Sequence, residues 1–148
     1  MEPTPQLYYE DVDLGDEIGP LELHPTDDAV RAFCELWGNP GANRFVDEEV
    51  AHRLGQPGPI VPGVMTVALM SQLFTRWGPP QLLKKIDVVF RQPVLHAPIK
   101  IVALVTDKRV EDGENVVECD IHLTNLDGDR LVGGKVIVSL PSRGGLIS

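Results

Sequence analysis

Basic residues, cysteine and long apolar runs are all scarce in this chain, and each scarcity excludes something. Thirteen lysines and arginines stand against 22 acids, a formal net charge of −9 over 148 residues. That sign argues against nucleic acid or an anionic membrane surface as the main partner. Two cysteines, Cys34 and Cys119, make neither a disulfide framework nor a metal site. No apolar run reaches the roughly 20 residues of a membrane span. The leading MEPTPQLYYED lacks the basic and apolar runs of a signal peptide, so a reduced, cytoplasmic protein is expected. Glycine-rich phosphate cradles, zinc motifs, aromatic nucleic-acid platforms and internal repeats are missing, and no cofactor or metal is expected.

What is present is an ordinary globular composition, 43% hydrophobic and 24% charged, long enough for one domain with a real core. The stretch PIVPGVMTVALMSQLFTRW, Pro59 to Trp77, places Val64, Val67, Ala68, Met70, Leu73, Phe74 and Trp77 on nearly every helical face. Such a helix belongs inside a protein, and Pro62 and Gly63 mark its start. Upstream, Tyr8 to Ile18 mixes aromatic and aliphatic residues with acids, and Leu21 to His24 reads as a short strand. Thr26 is a predicted N-cap for an amphipathic helix ending by Gly38, with Asp27 and Asp28 in its first turn. GNPGAN, residues 38–43, is a loop, and a short helix runs from Asp47 to Leu54.

After Pro79 and Pro80, four apolar stretches (84–95, 99–110, 115–125 and 130–140) alternate with turn signals at Asp112-Gly113 and Asp127-Gly128. Val117, Cys119, Ile121 and Leu123 alternate with Glu118, Asp120, His122 and Thr124, the pattern of an antiparallel sheet with one wet face. The expected architecture is α+β: one central helix wrapped by a sheet in a single domain over 1–148, with loose tails at 1–6 and 143–148.

Residues able to carry chemistry are few. His24, His52, His96 and His122 have no partner at metal-ligand or triad spacing, and His52 and His122 read as solvated. The two cysteines read as small core residues, and Asp47, Glu48 and Glu49 as a charged first turn. There remains the start of the central helix. Its free N–H donors, with Gly63 allowing close approach, suit an oxygen that gains negative charge, although a Pro-Gly start also serves packing alone.

The order YYEDVDLGDEI, capped helix, then GNPGANRFVDEEVAHRLGQPGPIVPGVMTVALMSQL resembles the MaoC-like acyl dehydratases and (R)-specific enoyl-CoA hydratases of the hotdog fold, from about Tyr8 to Leu140. The resemblance implies a long helix wrapped by a curved antiparallel sheet, paired with a second unit of the same kind. It implies a coenzyme A thioester as substrate, bound between units, in a homodimer or a heteromer with a second hotdog chain; an acyl-carrier thioester is the alternative. In that pattern an Asp and a His before the acidic helix activate water, and the N–H at the central helix start polarises the thioester carbonyl. Here the His position falls on Phe45 and the Asp position on Pro40, or on Asn39 if the loop is one residue longer, with Asn43 nearby. The His that commonly precedes the helix glycine is Pro62. Asn39 and Asn43 are thus the candidate catalytic positions, and Gly63, Val64, Phe45 and Pro62 the candidate substrate-binding ones. TRWGPPQLLKKIDVVFRQPV also resembles the small hotdog subunits of heteromeric hydratases in steroid side-chain degradation.

Three functions follow from that resemblance. The first is an enoyl-thioester hydratase or dehydratase, or a subunit of a heteromeric one. The second is a non-catalytic acyl-thioester-binding subunit, because phenylalanine cannot accept a proton and asparagine is no base. The third, a thioesterase, would need Asp47 as its carboxylate. Val64, Val67, Ala68 and the Gly41-Ala42 loop predict an apolar acyl group. Arg76, Lys84, Lys85 and Arg91 could meet coenzyme phosphates or form a solvated face.

Overall fold

The computed structural model describes residues 7–77 and 82–144. The predicted break at Pro79-Pro80 and the tail residues 1–6 and 145–148 lie outside the described residues. A 3-10 turn, Tyr9–Asp11, leads to β1, Glu17–Leu23. Three helices follow: α1, Asp27–Leu36; α2, Glu48–Arg53; and α3, Gly63–Thr75. Four strands complete the chain: β2, Leu82–Phe90; β3, Ile99–Glu111; β4, Glu114–Asn125; and β5, Arg130–Ser139. They form one antiparallel sheet in the order β1-β3-β4-β5-β2, with α3 packed against it.

The alternation read from the sequence sets the two faces. Val117, Cys119, Ile121 and Leu123 of β4 are buried, as are Ile99, Ile101, Ala103 and Val105 of β3. Against them α3 buries Thr66, Met70, Leu73 and Phe74. Burying each large apolar side chain contributes about 1.5–3 kcal/mol, so Met70, Leu73 and Phe74 give this helix–sheet contact several kcal/mol. The outward face carries ion pairs such as Lys135–Asp120 at 2.9 Å and Arg109–Asp107 at 2.7 Å. In β5, a side chain at Gly134 would meet the Asp87 carbonyl oxygen at 2.0 Å, so only glycine lets β5 and β2 approach so closely there.

Three expectations need correction. The central helix is not buried on all sides: Val64 is 57% exposed and Ala68 also faces solvent, because the sheet covers one side of α3 alone. The short strand expected at Leu21–His24 begins earlier, at Glu17, and forms a full edge strand beside β3. Arg143 is not loose. It pairs with Asp11 and stacks on the Tyr8 ring, while its N–H donates to Glu10 at 3.0 Å, tying the chain's last described turn to its first. That network holds the Asp11 carboxyl below its ordinary value, chiefly through the Tyr8 N–H it accepts.

The two sheet edges differ. β1 is interrupted by a register shift between Ile18 and Leu21, where Pro20 offers no N–H. β2 is a nine-residue edge with Val89 57% and Phe90 46% exposed. Its Val89–Phe90 end is the apolar part that invites pairing with another strand, whereas Lys84, Lys85 and Asp87 charge the rest of the edge.

Candidate active site

Each helix begins with four N–H groups that no residue of its own backbone can accept. Thr26 caps α1, its Oγ1 accepting from the Ala29 N–H at 3.1 Å. Asp47 caps α2, its Oδ1 accepting from the Val50 N–H at 3.0 Å. At α3 the N-cap is Pro62, which has no side-chain oxygen, and no side chain accepts from the first turn. Gly63 and Val64 are exposed there, at the positive end of the helix dipole.

Backbone bonds hold this start in place. The Val61 N–H donates to the Val94 carbonyl at 2.7 Å, and the Ile60 N–H to the Arg44 carbonyl at 3.1 Å. The buried Thr66 hydroxyl donates to the Pro62 carbonyl at 3.1 Å. His96, its side chain only 7% exposed, sits between the Asp27 carboxylate, 2.6 Å from Nδ1, and the Ile60 carbonyl, 3.4 Å from Nε2. Sequence spacing could not show this histidine's partner, because the two residues meet only after the sheet has closed.

In front of the α3 start lies a cleft of about 470 Å³. Gly63, Val64 and Phe45 line it together with Trp37, Arg44, Phe90 and Arg91. Phe45 is nearly buried, Trp37 packs beside it with ring centroids 6.4 Å apart, and the Arg44 guanidinium lies over the Phe45 ring at 4.5 Å. Phe90 sits across Gly63, whose missing side chain would stand 3.5 Å from the ring. None of the lining residues is an Asp, Glu, His or Cys, so this cleft holds no general base of its own.

A second cleft, of about 370 Å³, lies on the other side of the 38–47 loop. Asn39 lines it with Pro40, Asp47 and Glu35. Asn43 is occupied in the loop itself: its Nδ2 donates to the Asn39 and Gly41 carbonyls at 3.0 and 3.3 Å, and its Oδ1 accepts from the Phe45 N–H at 2.8 Å. Of the residues chosen from sequence, Gly63, Val64 and Phe45 therefore share one cleft with Pro62 beneath them. Asn39 faces another cleft, and Asn43 staples the loop between. Arg44, Trp37 and Phe90 were missed because nothing in the local sequence brings them to the helix start.

The thiols offer no alternative chemistry. Both are buried, and burial, reinforced by Asp120 and Glu118, pushes Cys119 up to about 12. Among the described residues no cluster of His, Cys, Asp or Glu could hold a metal ion, and no helix is long and apolar enough to cross a membrane.

No family model and no curated protein matches the sequence. Solved structures do match. A MaoC-like dehydratase from Rhodospirillum rubrum superposes with a TM-score of 0.80 at 19% identity, over 93% of this chain and 98% of that one. The (R)-hydratase from A. caviae involved in PHA biosynthesis gives 0.77 at 19%, over 89% and 99%. The ChsH1-ChsH2 complex from Mycobacterium tuberculosis gives 0.72 at 20%, over 86% and 98%. The chain therefore has the hotdog fold, in the form that these dehydratase and hydratase structures share.

Proposed function

We propose that this chain is a subunit of an enoyl-thioester hydratase or dehydratase, in which the α3 start polarises the thioester carbonyl. The observation that carries the reading is the uncapped first turn of α3 opening into a cleft with no acid or base. Gly63 and Val64 would donate to the carbonyl oxygen, which gains negative charge as water adds to or leaves the 2,3-double bond. The acid–base pair would come from a second hotdog chain. The open β2 edge and the apolar, exposed Val64–Ala68 face of α3 favour a partner at this side. The likeness to a two-protein complex supports the same assembly.

The substrate in this reading is a coenzyme A thioester, with an acyl-carrier thioester as the alternative, and no cofactor takes part. The protein works in the cytoplasm, in keeping with two free, buried thiols. Asn39 and Asp47, in the neighbouring cleft, favour one competing reading: a homodimer that supplies its own water-positioning groups.

Hydration of crotonyl-CoA and longer enoyl-CoAs, followed at the absorbance of the conjugated thioester, separates these readings. The subunit reading expects a raised melting temperature with acyl-CoA, no turnover by the chain alone, and turnover once an Asp/His-bearing hotdog chain is added. A ligand at 100 times its Kd adds about 2.7 kcal/mol, so the shift is measurable. Turnover by the chain alone that is lost in Asn39→Ala or Asp47→Asn would favour the homodimer. Release of free thiol would make it a thioesterase, and no melting shift with any acyl-CoA would end the thioester reading.

A further inference from the structure

The cleft at the α3 start contains two cations and no anion. Arg44 and Arg91 both line it, and among the described residues neither has a carboxylate partner. In a chain with 22 acids to 13 bases this is unusual company. Three other clefts each include a carboxylate: Glu35 and Asp47 in one, Asp127 in another, Glu111, Asp112 and Glu114 in the third. The Arg44 guanidinium is also placed rather than free, its central carbon 4.5 Å from the centre of the buried Phe45 ring. The planar guanidinium fork matches the geometry of a carboxylate and can bind it through two parallel hydrogen bonds.

The two arginines follow or precede the aromatic residues that flank the helix start, Arg44 beside Phe45 and Arg91 beside Phe90. They therefore stand within one cleft of about 470 Å³ around the point where a thioester carbonyl would sit. The phosphates of coenzyme A are held far from that carbonyl by the long pantetheine arm. An acyl substituent is not. Of the residues that predicted an apolar acyl group, the Gly41-Ala42 loop lines the other cleft, while Val64 lines this one beside the two arginines.

From this geometry we infer that the preferred acyl group carries a carboxylate, held between Arg44 and Arg91. The inference rests on the thioester reading of the same cleft, and the test separates the two. Glutaconyl-CoA, its methyl ester at the distal carboxyl, and the corresponding N-acetylcysteamine thioesters, which lack phosphates, are compared by calorimetric titration. The acid should bind about tenfold or more tightly than the ester on both carriers. Arg44→Gln and Arg91→Gln should each bring that ratio towards one, and Arg44→Lys should restore less than the full preference because a lysine cannot grip a carboxylate with two parallel bonds. Equal binding of acid and ester would overturn the carboxylate inference and leave the thioester reading standing. If Arg44→Gln and Arg91→Gln weaken acid and ester equally on coenzyme A and leave the N-acetylcysteamine thioesters unaffected, the inference is overturned too, and the arginines are assigned to phosphate. Binding of none of the four would overturn both. Circular dichroism of each variant confirms that the fold is retained.

Discussion

The first turns of α2 and α3 face the same physical problem and solve it differently. Both expose N–H donors, and only a few backbone steps separate the loops that lead into them. At α2 the chain supplies its own acceptor, Asp47, and closes the end off. At α3 it supplies Pro62, whose side chain can accept nothing from the turn, and leaves Gly63 and Val64 facing a cleft. A capped turn contributes stability to the free protein. An uncapped one keeps its donors for something that arrives later.

The strongest way to break this comparison is Gly63→Pro. Proline is tolerated at the first helical position, and Pro62, at φ −56° and ψ 141°, already has the extended conformation that a following proline requires. A Cβ at Gly63 meets Phe90 at ordinary contact distance. The variant should therefore fold with an unchanged melting temperature. It lacks one donor to the carbonyl, so turnover of the assembled enzyme should fall about 100-fold. An active Gly63→Pro would mean that the free turn is an accident of packing.

Asn43→Ala comes next, and it acts on the loop between the two helix starts. Three hydrogen bonds depend on that side chain, including the one that fixes the Phe45 backbone. Their loss should cost about 1–2 kcal/mol in urea unfolding, and thioester affinity should weaken with it because Phe45 floors the cleft. If stability is untouched while turnover disappears, Asn43 has a direct part in the chemistry.

Asp47→Ala sharpens the contrast from the capped side. Removing the acceptor should cost about 1 kcal/mol, a fall of roughly 2–4 °C in melting temperature. Thioester binding at the other cleft should not change. A binding loss there would show that the two starts are coupled through the loop.

How far the sequence reached follows the same division. Local signals placed the capped helices, the hairpin at Asp112-Gly113 and the inward row Val117, Cys119, Ile121 and Leu123, since each depends on neighbours a few residues away. Gly63, Val64 and Phe45 also came out in one cleft. Arg44 over Phe45, Phe90 across Gly63 and His96 between Asp27 and Ile60 did not, because tertiary closure alone brings them together. The exposure of Val64 was missed for a related reason. Hydrophobicity says that a face will be covered, without saying whether the chain itself or a second one covers it.

His122 gives the smallest effect and tests the outward face of the sheet against its inward one. Read from the sequence as solvated, it is half-buried on β4, and its value is lowered first by that burial and then by Arg130, against smaller opposing effects of Glu17 and Asp120. A histidine lowered in the folded state takes up its proton at higher pH when unfolded, so the unfolded chain binds more protons just below neutrality. Stability should therefore decline as pH falls from about 7.5 towards about 5.5. The lowered carboxylates Glu10 and Asp11 act in the same direction, but only around and below the ordinary carboxylate values of 4.5 and 3.8, and so leave that window clear. His122→Gln should flatten the melting curve between those two pH values while keeping the steeper acid loss beneath them. An unchanged slope would mean that His122 is solvated after all, as its place on the polar face of the strand first suggested.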